Sequence, residues 1–456
     1  MESMRGFIVI GLIIMLLSGC VEEADFEVTE LLVSTSEVES GDSVVVWVEA
    51  ENISDKPGIY EIKLRVDGKL EDSKTLTLDP DESETVSFTI VKNQIKTYIV
   101  SVGNLSTSFK VVEPVEEELP ELEEVPESYK LPVPVVNTTI VMPEYFEDEG
   151  EWEETFEGGL CYIASFGMIV LYNDSQLDFS DVIAYSGVGT TVNCGPQGIG
   201  IGYGMGGIIN AADNLGYERA LGIGDGGVVG HDFESEEIEA TFNNQSEAFN
   251  YLASTIASDT PAMVHLDTYY VRDDLAKVTF KWAMNDKAHT SHFMVVTGYD
   301  YNSGCVYLND NSGYTAEEGV DMPTTIGHFL NAWENGAHTT WGAKLGPYWM
   351  LYIKGSSSRK STAEIKSWNK EISESTASHI QDYASGSPIV DSLTYLAELA
   401  VARKEFAAFL ENTQNTEGAS LYKGASELYQ TMPRATDLVA TLNEIAGLEE
   451  DARELY

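Results

Sequence analysis

The sequence predicts three parts in order: an all-β sandwich, a mixed α+β domain and a C-terminal helical bundle. Three observations carry this reading. Residues 25–112 alternate apolar and polar side chains with period two, in short runs separated by turn formers. Residues 140–355 mix helical and strand patterns and are rich in aromatic side chains. Residues 356–456 keep the spacing of amphipathic helices. A chain of 456 residues has room for two or three such parts, at about 100–200 residues per domain.

Ahead of the sandwich, Arg5 precedes the apolar run FIVIGLIIMLL, which leads into Leu17-Ser18-Gly19-Cys20. This is the anatomy of an export signal over residues 1–19. The apolar run is short for a membrane span, which needs about twenty residues. A small-residue pair directly before a cysteine resembles a lipoprotein processing box, which implies that Cys20 becomes a lipid-modified N-terminus. The rest of the chain is then expected outside the cell, tethered to the outer face of the membrane. Composition suits that setting: 75 acidic residues face 26 basic ones, a formal charge of −49. Such a surface repels nucleic acid and anionic lipid, which makes both poor partners, and keeps a protein soluble in strong salt. Asn-x-Ser/Thr sequons begin at Asn52, Asn104, Asn137, Asn173 and Asn244, open to modification if the host glycosylates exported proteins.

In residues 25–112 the runs SVVVWVEAENIS, YEIKLRVDG, KTLTLDP, ETVSFTIV, TYIVSVGN and STSFKVV are divided by Ser40-Gly41-Asp42, Asp67-Gly68 and Asp79-Pro80-Asp81. They predict antiparallel strands packed as a sandwich. The stretch VESGDSVVVWVEAENISDKPGIYEIKLRVDGKLEDSKTLTLDPDESETVSFTI resembles CARDB domains, Ig-like modules of archaeal and bacterial surface proteins. The resemblance implies a spacer or adhesive role. Residues 113–134, EPVEEELPELEEVPESYKLPVP, are dominated by glutamate and proline, which predicts a stiff linker.

The chemistry is expected in residues 140–355. Cys161 opens CYIASFGMIVLY after Gly158-Gly159, with Ile163, Phe166, Ile169 and Val170 at helical spacing. A thiol on a helix's first turn sits among free N–H groups at the positive end of the dipole, which favours thiolate. His292 opens the strand-forming run HFMVVTGYD, Asn302-Ser303-Gly304 makes a turn, and CVYLNDNSG returns as a second strand ending at Asp310. Strands joined by so tight a loop pair as a hairpin, bringing His292 and Asp310 together as a base and its orienter.

This order of Cys, His and Asp resembles the papain-like fold. The segments GLCYIASFGMIVLY, DFSDVIAYSGVGT, PAMVHLDTYY and HTSHFMVVTGYDYNSGCVYLNDNSG together resemble the peptidase C39-like group, and within it the subset related to the N-terminal domain of butirosin biosynthesis protein H, an acyltransferase. The resemblance covers residues 155–355. It implies Cys161 as nucleophile, His292 as general base and then acid, Asp310 as orienter, and Asp267 and Tyr269 lining the cleft. A helical tail after the papain-like part also occurs in that subset. The chain departs from the pattern just before Cys161, where papain-like hydrolases usually carry a glutamine that donates to the oxyanion. EWEETFEGGLC has Glu154 and Glu157 there, which accept rather than donate when ionised, so Thr155 or Gln197 is the candidate second donor beside the Cys161 N–H.

Other assignments stay open. Cys194-Gly195-Pro196 is closer to the nucleophile motif of many C39-type peptidases, but the alternating glycines from Gly198 to Gly206 weaken a helix by about 1 kcal/mol each. A chain with no catalytic cysteine is the third alternative. With Cys20 lipidated, three cysteines remain, and a Cys194–Cys305 disulfide would leave Cys161 as the free thiol. His289 is the alternative base and His265 reads as a core residue, while His231, His328, His338 and His379 carry no partner pattern. No histidine or cysteine spacing suggests a metal, and the glycine run lacks the Lys-Ser/Thr of a phosphate loop. No cofactor is expected.

In residues 356–456, Ser387-Pro388 predicts a cap ahead of SLTYLAELAVARKEFAAFL, where Leu396, Leu399, Phe406 and Leu410 share a face. ATDLVATLNEIAGLEEDARELY predicts a last helix. The helices are expected to pack on the middle domain as support. The function expected of the whole is a tethered cysteine hydrolase, of peptidase or amidase type, or an acyltransferase, working through a thioester on peptide, amide or thioester substrates of the envelope. The alternative is a catalytically silent surface binding or adhesion protein whose cleft only holds a ligand.

Overall fold

The computed structural model describes residues 25–456 apart from residues 35, 42, 81, 113–118, 121, 123–124, 147–150, 158, 196–197, 228–232, 272–290, 312–318, 337–344, 387, 389–392 and 436. The chain divides into two compact units, Met1–Glu116 and Glu117–Tyr456. Residues 1–19, expected to be an export signal, and Cys20 lie outside the described residues. No helix among the described residues is long and apolar enough to cross a membrane.

Among its described residues the first unit holds eight strands: β1 (Phe26–Val33), β2 (Glu37–Glu39), β3 (Ser43–Asn52), β4 (Gly58–Val66), β5 (Lys69–Leu78), β6 (Ser83–Val91), β7 (Lys96–Val102) and β8 (Leu105–Val112). They form two sheets, ordered β1-β3-β6 and β2-β8-β7-β4-β5. The period-two pattern is what closes them into a sandwich. Val44, Val46, Val48 and Ala50 of β3 are buried, as are Ile62, Leu64 and Val66 of β4, in one core shared by both sheets. Each of these valine, isoleucine and leucine side chains contributes about 1.5–3 kcal/mol on burial. Asp67 and Gly68 both take positive φ, 50° and 76°, as a two-residue turn between β4 and β5 requires. Asn52, a sequon residue, is fully buried and donates its amide to the Lys56 and Leu78 carbonyls, leaving that nitrogen no room for a glycan.

The second unit starts earlier than its composition suggests. Of the stretch expected to be a stiff linker, β9 (Ser128–Lys130) joins a sheet, and Leu131 and Val133 enter the core, followed by Val136 just beyond it. Alternating apolar residues in KLPVPVV give this segment a face to bury, which the glutamates before it lack. The hairpin β10 (Ile140–Phe146) and β11 (Glu151–Glu157) follows. After it come helices α1 (Cys161–Asn173) and α2 (Phe179–Ser186), then a second hairpin, β12 (Val192–Gly195) with β13 (Gly198–Ile201). Helix α3 (Gly206–Leu215) leads into β14 (Tyr217–Gly224), β15 (Ile238–Phe242) and helix α4 (Gln245–Ala257). The remaining strands are β16 (Ala262–Asp267), β17 (Ser291–Asp300), β18 (Cys305–Asn309), β19 (Met322–Thr325) and, after helix α5 (Ile326–Asn335), β20 (Met350–Ser356). The main sheet runs β15-β14-β20-β16-β17-β18-β19, with β9 also on β17. Gly298 is where β9 approaches: a Cβ there would stand 2.6 Å from the Tyr129 carbonyl oxygen.

Helices α6 (Thr362–Ile372), α7 (Thr376–Ser385), α8 (Leu393–Asn412), α9 (Thr416–Thr431) and α10 (Leu438–Arg453) complete the unit. The expected stripe is present, since Leu396, Leu399, Phe406 and Leu410 of α8 are all buried. The chain thus runs from an all-β region through a mixed α/β middle to C-terminal helices. Those helices are part of the second unit: Phe406, Ala407 and Leu410 of α8 and Tyr422 of α9 belong to the same core as α1 and β17.

Candidate active site

Helix α1 begins at Cys161 and is apolar all round, with every residue from Tyr162 to Val170 buried. Such a helix runs through an interior rather than along a surface. It is fixed against β17, where the Ser165 hydroxyl donates to the Phe293 carbonyl at 3.0 Å. That bond lies one residue from His292. Strands β17 and β18 pair with Val295 opposite Asn309, so Asp310 comes next to Met294 and on the face shared by His292. The imidazole Nε2 of His292 lies 3.0 and 3.1 Å from the two carboxylate oxygens of Asp310. Both residues are buried, at 2% and 1% exposure.

Burial alone would hold His292 below its ordinary value. The Asp310 carboxylate outweighs it, and a hydrogen bond and charge interaction with the Cys161 thiol add to the effect, pushing the imidazole up to about 10. Cys161 and Asp310 therefore both act on one buried ring. Cys161 itself is half-buried. Cys194 differs in setting: it lies in β12, opposite Ile199, and burial pushes its thiol up to about 11. A thiol in that state is a poor nucleophile at neutral pH.

The disulfide weighed between Cys194 and Cys305 is not made, and both thiols are free. The reason is topological: Cys194 packs beside the C-terminal helices, whereas Cys305 starts β18 between Asp300 and Thr325. Asp267 ends β16, fully buried, and accepts from the Tyr269 N–H at 3.1 Å. Its register partner is Ser291, so it occupies the face alternate to His292. Tyr269 is stacked edge-on against Tyr270 at 5.3 Å. Thr155 is in β11 opposite Met142, with its side chain outside the described set, and Gln197 lies outside the described residues, as do His231, His289 and His338. His328 stands in the first turn of α5 and His379 in α7.

His265 is buried beside Phe293, its ring hydrogen-bonded to the Ser291 hydroxyl, and desolvation, with the charge of His292 added, takes it down to about 3. It is a neutral core histidine. No group of three or more His, Cys, Asp or Glu among the described residues could hold a metal. A cavity of about 730 Å³ lined by Gly224, Asn244, Glu334 and Tyr348 includes none of Cys161, His292 and Asp310.

The residues before Cys161 are held by hydrogen bonds from distant parts of the chain. Leu160, the N-cap of α1, takes a left-handed backbone at φ 61°, and no side chain caps the helix. The peptide joining Gly159 to Leu160 is bonded at both ends. Its carbonyl accepts from the Thr138 hydroxyl at 2.5 Å and the Asn311 amide at 3.0 Å, and its N–H donates to Glu398 of α8 at 3.3 Å. Asn311 follows Asp310 directly, and an asparagine after a candidate orienter is a usable signal. Glu398 also had one, as an acid set among Leu396, Ala397, Leu399 and Ala400 on an apolar helix.

Residues 151–340 match the Peptidase_C39 like family. No curated protein matches the chain. Among solved structures, the CARDB domain of a Pyrococcus furiosus protein, in complex with di-metal ions, is 18% identical over 20% of this chain and 96% of its own, with a TM-score of 0.18. The β-glucosidase EmGH1 of Erythrobacter marinus is 14% identical over 20% of this chain, with a TM-score of 0.19. A Listeria innocua β-glucosidase is 20% identical over 20% of this chain, with a TM-score of 0.17. The match spans only 16% of the length of either glucosidase.

Proposed function

We propose, on the premise that residues 151–340 form a Peptidase_C39 like domain, that the protein is a cysteine hydrolase or acyltransferase with Cys161 as nucleophile, His292 as acid and base, and Asp310 as orienter. The observation that carries this is the buried His292 ring, bonded to Asp310 and interacting with the Cys161 thiol. A protonated imidazole there stabilises negative charge on the sulfur, which is what a thiolate nucleophile needs. The sulfur attacks a carbonyl carbon and forms a C–S bond. His292 gives its proton to the leaving group as the scissile bond breaks. Water, or an acceptor amine, then loses a proton to His292 as it attacks, and the C–S bond breaks.

The Cys161 N–H is the first oxyanion donor, at the start of a helix with no side-chain cap. A missing second donor costs about 100- to 1000-fold, which a reactive thioester or ester tolerates better than a peptide bond. Location favours hydrolysis of envelope peptides or amides, since the same proposal has the chain exported and anchored through Cys20. Cys20→Ser is expected to move the protein from the detergent to the aqueous phase on phase partition.

Intact-mass measurement after exposure to a peptidyl thioester tests the chemistry. One acyl group is expected on the wild-type chain, mapped to Cys161 and absent from Cys161→Ser. An unmodified wild-type chain that also leaves the thioester uncleaved favours the silent binding protein instead.

A further inference from the structure

The clamped peptide before Cys161 bears on who holds the nucleophile. A left-handed backbone at a leucine is strained, because its Cβ crowds the following carbonyl, and it persists only where its surroundings fix it. Leu160 at φ 61° is such a residue, one position before the thiol. Two of the fixing groups belong to the β-rich part of the unit: Thr138, and Asn311 beside Asp310. The third, Glu398, comes from the C-terminal helices, which lie beyond residues 151–340 of the family match. Helix α8 reaches this point because residue 159 is glycine. A Cβ there would stand 2.5 Å from the Glu398 Cγ and 3.3 Å from its Cα. Burial pushes the Glu398 carboxyl up to about 7 although the Leu160 N–H acts to lower it. The Tyr162 phenol, buried and without a hydrogen-bond partner among the described residues, feels both Glu398 and Cys161.

We propose that Glu398 is a positioning residue for the reaction: by accepting the Leu160 N–H it holds the Gly159–Leu160 peptide and so sets the direction in which Cys161 starts its helix. This rests on the reading of Cys161 as nucleophile. The C-terminal helices then complete the site as well as support it. A misplaced nucleophile loses rate steeply, up to about 100-fold for a shift near 1 Å.

The test uses the full chain with three readouts: the rate at which iodoacetamide alkylates Cys161, hydrogen exchange at the Leu160 amide, and the thermal midpoint. Glu398→Ala is expected to slow alkylation about 10-fold and to speed Leu160 exchange by a similar factor, as loss of one hydrogen bond implies. Glu398→Gln keeps a carbonyl oxygen for the Leu160 N–H and is expected to recover most of both. Gly159→Ala, which pushes α8 away, is expected to match Glu398→Ala. The midpoint separates this from unfolding, because Gln and Ala variants of equal midpoint must still differ in rate. Equal alkylation in wild type and Glu398→Ala overturns the inference alone, as does a Gln variant no better than Ala. A wild-type Cys161 that alkylates like an ordinary thiol overturns the nucleophile reading, and the inference with it.

Discussion

The two units differ in where they keep ionisable groups. Among the described residues of the sandwich, Asn52 is the one buried polar side chain, and the ion pairs, such as Lys96 with Asp67 at 2.6 Å, lie at the surface. The second unit buries His265, Asp267, His292, Asp310, Arg403 and Glu449. Burying charge is costly unless it is paired, so a chain does it for a reason. The sandwich is held mainly by the apolar side chains that its alternation buries. Within the second unit the buried groups divide again. Arg403 donates to Glu449 at 2.6 Å and to the Val188 and Thr191 carbonyls, tying α8 and α10 to the loop after α2. His292 and Asp310 instead stand beside a half-buried thiol.

The largest expected effects break the second pair. His292→Ala should lower turnover about 100- to 10,000-fold, the usual share of a general acid and base, with the fold retained by circular dichroism. Asp310→Asn should fall in the same range, because the ring loses the carboxylate that orients it. Arg403→Met strands Glu449 and should cost about 3–5 kcal/mol in urea unfolding, while the double change Arg403→Met with Glu449→Leu should regain most of that loss. In the sandwich, Leu64→Ala should cost about 2–5 kcal/mol for the cavity it leaves, without changing the rate of Cys161 alkylation. A loss of alkylation in that variant would contradict the division of labour between the units.

The two buried histidines among the described residues of the second unit should respond to pH with opposite sign. His265 folds neutral, near 3 against an ordinary 6.5, so its contribution is present above about 6.5 and is lost as pH falls towards 3. His292, near 10, contributes below about 6.5 and loses that contribution as pH rises towards 10. Urea midpoints of His265→Leu should therefore approach wild type on the acid side, and those of His292→Ala on the alkaline side. The smallest effect belongs to the sandwich surface: Ile59→Ser, at a site 72% exposed, should stay within about 0.5 kcal/mol of wild type.

What could be read from sequence followed from local pattern. Val44 to Ala50 alternate, Leu396 to Leu410 keep one stripe, and the tight turn after Asp300 paired β17 with β18, bringing His292 to Asp310. What could not be read joins segments distant in sequence. Glu398 meets Leu160 across 238 residues, and Asn311 meets Thr138 across 173. Residues 128–134 read as linker because proline and glutamate dominate around them, while the alternation of Leu131 and Val133 that docks them on the sheet is only a few residues long. The Cys194–Cys305 pairing failed for the same reason, since a count of cysteines carries no information about which strands bear them.

Alkylation of Cys161 near neutral pH, compared between wild type and His292→Ala with the site mapped by peptide mass, tests the central claim most directly. The account predicts stoichiometric labelling much faster than that of an ordinary thiol, falling to the ordinary rate in His292→Ala. Labelling at the ordinary rate in wild type, or equal rates in the two proteins, would contradict it.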